Sequence, residues 1–103
     1  MRASALLLVV AVLALAGCGT NSRGGGPLPG TGELLFVRDC GSCHTLGDAG
    51  TKGTAGANLD ATKPTMQQVL DAIADGPKLM PPDIVTGANA EAVAAYVAHA
   101  VRR

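Results

Sequence analysis

The stretch Cys40-Gly41-Ser42-Cys43-His44 decides how this chain is read. Two thiols three positions apart, followed at once by an imidazole, form the CxxCH pattern through which a haem is attached covalently. The spacing has a physical reason. Two thiols so placed can add across the two vinyl groups of one haem. The next residue then lies beneath the iron, where its imidazole serves as the proximal ligand. The ligating nitrogen must be unprotonated, and the other ring nitrogen should donate to a backbone carbonyl that fixes the ring. Three plainer uses of the pair compete. A thioredoxin-like redox pair sits in a βαβ context, which the sequence does not offer. A structural zinc site wants four ligands, and the one other histidine, His99, lies far along the chain. A simple disulfide is the third. Haem attachment is favoured over all of them.

A second axial ligand is sought downstream. Met80 stands in Leu79-Met80-Pro81-Pro82, in a loop after a helical stretch. A thioether is soft and suits haem iron, and a His/Met pair raises the reduction potential. The flanking prolines restrict the loop. Met66 falls on a helical stripe and is expected to pack there, while His99 falls off the apolar stripe near the C-terminal end.

Composition asks for a cofactor independently. The chain has 103 residues, with no Trp, one Phe (Phe36) and one Tyr (Tyr96). Aromatic side chains supply much of a small core's buried area, and so short a domain generally needs a staple of some kind. The formal net charge is zero, so no attraction to nucleic acid is indicated.

Around the motif the elements are helical. Gly32 to Asp39 suits two turns, with Leu34, Leu35, Phe36 and Val37 among charged residues. Gly41 to Asp60 reads as loop. Met66, Val69, Leu70 and Ile73 recur at helical spacing, Thr65 and Gln68 make a capping box, and Gly76-Pro77 ends the helix. Val93, Tyr96, Val97, Ala100 and Val101 stripe a third helix, with Asn89 as its expected N-cap and Arg102-Arg103 favourable at its end. No segment alternates as a strand does.

Upstream, Ala3 to Ala16 is almost wholly apolar and runs into Leu15-Ala16-Gly17-Cys18. The run is short for a bilayer span, which takes about 20 residues, and suits a secretory leader. It resembles the lipobox of bacterial lipoproteins, which implies cleavage before Cys18 and a diacylglyceryl group on its sulfur. Gly19 to Gly30, GTNSRGGGPLPG, reads as a flexible tether with a reach of roughly 20 Å. The expected organisation is a leader over 1–17, a lipidated Cys18 and tether over 18–30, and one domain over 31–103.

From about Thr31 to Val101 the chain resembles class I cytochrome c of the short bacterial kind. The matching residues are Gly32, Phe36 and the CxxCH run; Gly56-Ala57-Asn58-Leu59; Gly76-Pro77-Lys78-Leu79-Met80-Pro81-Pro82; and Val93, Tyr96 and Val97. The resemblance implies an all-α fold of three main helices around one covalent haem c. It implies first and last helices that cross where Gly32 and Phe36 meet Val93 and Tyr96. It also implies a carbonyl acceptor for the proximal histidine at Ala57, where the family usually has proline. The expected sites are Cys40 and Cys43 for the thioether bonds, His44 and Met80 for the iron, and Cys18 for the lipid. The expected role is one-electron transfer on the extracytoplasmic face of a bacterial membrane. Partners would be redox proteins of a respiratory or other electron-transfer chain, with no substrate turned over. A haem-based sensor with an open sixth position and a thiol–disulfide oxidoreductase using the CxxC pair are the alternatives.

Overall fold

The computed structural model describes residues 30–103. The leader, Cys18 and the tether up to residue 29 lie outside them. Among the described residues no helix is long and apolar enough to cross a membrane.

Helix α1 spans Thr31–Asp39 and enters from Gly30, whose φ of 85° is left-handed. Glu33 in its first turn and Arg38 in its last both complement the helix dipole. The helix buries Leu35 and Phe36 and leaves Leu34 and Val37 exposed. As it unwinds, the backbone N–H groups of Cys40 and Gly41 both donate to Phe36 O at 2.8 Å. The motif itself is then one more turn, with Cys43 N–H and His44 N–H donating to Cys40 O at 3.1 and 3.0 Å.

The segment expected to be loop contains more order than that. Strands β1 (Thr45–Leu46) and β2 (Thr51–Lys52) pair antiparallel across a 3₁₀ turn over Gly47–Ala49. Two residues per strand are too few to show alternation, so the sequence carries no sign of them. Leu46 is fully buried and anchors the hairpin to the core. Helix α2, Leu59–Thr62, is a single turn whose start is capped by Asn58, the side chain accepting from Ala61 N–H at 3.3 Å.

Helix α3, Met66–Asp75, follows the local signals closely. Thr65 Oγ1 accepts from Gln68 N–H at 3.1 Å and Gln68 Oε1 accepts from Thr65 N–H at 2.9 Å, completing the capping box. Ile73 is buried, with Val69 and Leu70 partly so. Met66 departs from expectation: it is 39% exposed and lies outside the core. It sits in the first turn, where the stripe overhangs the end of what it packs on.

Helix α4 spans Gly87–Ala100 and is N-capped at Thr86 rather than Asn89. Ala90 is buried, and its N–H bonds Thr86 O at 3.3 Å, closing a first turn that already contains Asn89. Val93, Ala94, Val97 and Ala100 face the core. Two contacts tie the end of α4 to the loop between α2 and α3. Lys63 Nζ donates to Val101 O at 3.0 Å, and Arg102 donates to Pro64 O at 3.1 Å.

Helices α1 and α4 cross at Gly32. A Cβ there would lie 2.7 Å from Tyr96 Cβ and collide with the Ala92 carbonyl, so only glycine lets the backbones meet. Beside the crossing the Phe36 and Tyr96 rings pack at 6.1 Å between centroids, tilted by 55°, within the range for favourable aromatic pairs. Tyr96 OH donates to Asp48 at 2.7 Å, and Arg103 reaches the same carboxylate oxygen at 3.0 Å. Partial burial, and then the Asp48 carboxylate, push the Tyr96 hydroxyl pKa upward.

Candidate functional site

A cavity of about 710 Å³ opens between these elements, within the usual ~300–1,000 Å³ of a small-molecule or cofactor site. Cys40, Cys43, His44 and Met80 all line it, together with apolar groups such as Phe36, Ile73, Val93 and Val97. The sequence placed these four together by motif and by resemblance, and the fold brings them to the wall of one open cavity. Met66 and His99 do not line it; His99 is exposed on α4.

The imidazole is held in one orientation. His44 Nδ1 lies 2.8 Å from Ala57 O. A carbonyl only accepts, so Nδ1 carries the proton and Nε2 keeps a free lone pair, the form needed in a metal ligand. The acceptor is a backbone atom, which is why alanine serves where proline is usual. The ring also lies flat against Gly56. A Cβ at Gly56 would be 2.5 Å from His44 Cε1 and under 3.0 Å from both ring nitrogens. Gly56 N–H donates to Cys43 O at 2.7 Å, and Thr51 Oγ1 donates to His44 O at 2.8 Å. The hairpin and the following loop therefore form a brace for the imidazole. Gly56 was visible in the sequence only as a motif letter; its role depends on a residue twelve positions upstream in the chain meeting it in space.

Met80 is braced from the other side. Its N–H donates to Pro77 O at 3.0 Å, forming a tight turn after α3. Gly76, at φ +58°, is both the C-cap of α3 and a contact point for the returning chain. A Cβ there would lie 2.6 Å from Pro82 Cα and 2.7 Å from Met80 O. Asp83 N–H donates to Ile73 O at 2.7 Å and pins the loop's far end to the helix. The loop so formed is half-buried at Met80 and exposes Leu79 almost fully.

The two thiols differ. Cys40 is buried and Cys43 exposed, both as free cysteines. Burial first, then the Asp39 and Cys43 charges, push the Cys40 thiol up to about 11. Asp39 itself is held below its ordinary range by its bond to Arg38.

This chemistry fits a haem. The wall is mostly apolar, two sulfurs stand at the two ends of one turn, a pre-oriented imidazole has its lone pair free, and a thioether lies in the same cavity. Among the described residues no three His, Cys, Asp or Glu side chains gather as a metal cage would need, whereas iron in a macrocycle asks the protein for axial donors alone.

Comparison with known proteins agrees. No curated protein matches the chain. Among solved structures it is similar to the c-type cytochrome SorU from Sinorhizobium meliloti, with 39% identity and a TM-score of 0.65, over 69% of this chain and 87% of that one. The model of the family described as cytochrome c oxidase, cbb3-type, subunit III matches residues 27–97. With well over half its length matched, the chain belongs to this family and is a short class I cytochrome c, which carries covalently bound haem c and serves haem-based electron transfer.

Proposed function

We propose that this cytochrome is a one-electron carrier tethered by a lipid on Cys18 to the extracytoplasmic face of a bacterial membrane. Thioether bonds join its haem to Cys40 and Cys43, and His44 and Met80 are the axial ligands. The observation that carries the ligand set is that all four side chains line one cavity in which the His44 ring is already turned by Ala57 O. The bound haem supplies an iron that alternates between ferric and ferrous. The chain supplies everything that keeps the site the same in both states. His44 offers Nε2 with its ring trapped between Gly56 and the carbonyl. Met80 offers its sulfur from a loop fixed at Gly76 and at Ile73 O. Fixed ligands suit a carrier, because little has to move when the charge on the metal changes.

The thiol–oxidoreductase reading is disfavoured by the site. Reactive cysteines have lowered pKa values in electropositive surroundings, whereas Cys40 is buried, raised to about 11, and next to Asp39. A sensor needs an open sixth position, and Met80 on the cavity wall is a donor for it. The tether rests on Leu15-Ala16-Gly17-Cys18 and the glycine-rich segment after it; two or more acyl chains give stable anchoring where one does not. The family description names an oxidase subunit, which favours redox proteins as partners.

The test is the absorption spectrum of the chain expressed with haem-maturation machinery. A six-coordinate, low-spin haem that resists extraction is expected. A ferrous site open to carbon monoxide would instead mean a sensor, and a haem-free protein would mean a thiol enzyme.

A further inference from the structure

The cavity wall is mostly apolar, yet a haem brings two ionised carboxylates with it, on the edge away from the vinyl groups. An anion withdrawn from water without hydrogen-bond partners is costly, so these carboxylates call for donors. The vinyl edge belongs at Cys40 and Cys43. Of the other lining residues, Asp39 is anionic and adjoins Cys40, and His44 Nδ1 is engaged with Ala57 O. The remaining side-chain donors on the wall are Thr62, Gln68 and Lys78.

Gln68 stands apart because its carboxamide cannot turn freely. Its Oε1 is held by Thr65 N–H in the capping box. With the oxygen so engaged, the NH₂ group is the free end of an exposed side chain at the rim of the cavity. Among the described residues that NH₂ has no hydrogen-bond partner. The neighbouring Gln67 is different: its Nε2 donates to Asp71 at 2.8 Å and it does not line the cavity. Thr62 and Lys78 have no comparable lock.

We propose that Gln68 is a positioning residue for the cofactor: the capping box that starts α3 also aims its Nε2 at a haem carboxylate, to which it donates a charge-assisted hydrogen bond. The proposal rests on the haem reading of the site. It gives one side chain two duties, starting a helix and seating the polar edge of the group that the helix covers.

Resonance Raman spectroscopy of the ferrous holoprotein tests it, since the propionate bending mode reports hydrogen bonding to the carboxylates. Gln68→Glu keeps an oxygen for the capping box, in which Glu serves as well as Gln, but removes the donor. Gln68→Met removes the donor without adding charge. Both should move the propionate mode in the direction of weaker hydrogen bonding. Gln67→Glu, with the same charge one residue away, should leave it in place, as should Lys78→Gln. The proposal is overturned by haem-loaded Gln68 variants whose propionate mode matches wild type, or by a mode that moves in Lys78→Gln and not in them. Failure of the wild-type chain to hold covalent haem would overturn the site reading itself, which separates the two failures.

Discussion

Replacing Gly56 with alanine tests the brace behind the proximal ligand. The new Cβ would sit 2.5 Å from His44 Cε1, 2.8 Å from Nδ1 and 2.9 Å from Nε2. Carbon atoms rest about 3.5–4.0 Å apart in contact, so roughly 1 Å of retreat is needed. The Gly56 backbone is held by its 2.7 Å bond to Cys43 O, and the ring by its 2.8 Å bond to Ala57 O. The push runs along the ring normal, across the in-plane Nδ1–H bond, so a retreat of ~1 Å stretches and tilts that bond without breaking it. Overpacking of this kind costs about 1–3 kcal/mol. At about 4–8 °C per kcal/mol for a domain of this size, Tm of the ferric holoprotein should fall by roughly 4–24 °C. The potential should respond too. The Nδ1–H bond to a carbonyl makes the imidazole a stronger donor, which favours ferric iron. Weakening it should raise the reduction potential, and about 60 mV corresponds to a tenfold change in a one-electron equilibrium. Calorimetry and spectroelectrochemical titration of the purified variant read both quantities. If Gly56→Ala kept the wild-type Tm and potential, the reasoning from ring contact to ligand strength would be refuted.

Three more outcomes are expected. Met80→Ala should lower the potential by at least about 60 mV and abolish the ferric sulfur-to-iron charge-transfer band. Met66→Leu and His99→Ala should do neither, and the reverse pattern would overturn the ligand assignment. Cys40→Ala with Cys43→Ala should leave the chain largely unfolded or molten. Without the haem the mostly apolar wall of a cavity of about 710 Å³ is left facing water, and helices draw most of their stability from packing such faces. Native-like circular dichroism with a cooperative melt in that apo variant would contradict this. Cys18→Ser should release the protein from membranes or block its processing while haem attachment persists; a variant still membrane-bound with the wild-type processed mass would exclude the lipid.

What the sequence showed and what it hid divide along the range of the signals. The α3 boundaries were legible because Thr65, Gln68 and Gly76 act within one turn of their own positions. The α1–α4 crossing was legible through Gly32 and Tyr96 only with the family resemblance beside it. The β1–β2 hairpin, α2 and the true start of α4 were not, since each depends on what the chain packs against: Leu46 in the core, Asp60 accepting from Gly47 N–H at 2.9 Å, and Ala90 under its neighbours. Met66 misled because periodicity tells which face a residue is on, but not whether the neighbouring element extends that far. The Ala57 carbonyl is the opposite case. Its place in the motif was readable, and the bond to His44 is made at alanine because a backbone carbonyl accepts it.

The two proposed ligands are held by unlike means. His44 is held by a hydrogen bond and a flat glycine contact, both on the loop that follows it within thirteen positions. Met80 is held by the end of a helix: Gly76 against Pro82, and Ile73 O against Asp83 N–H. Both braces are short in sequence, but the second hangs on the C-terminal end of α3, so loss of that helix removes it and leaves the His44 brace standing. Unfolding of α3 alone should therefore release Met80 before His44. On the proposed ligand set, a capping box that fixes the start of α3 and also carries a donor on the cavity wall would couple cofactor seating to the placement of Met80.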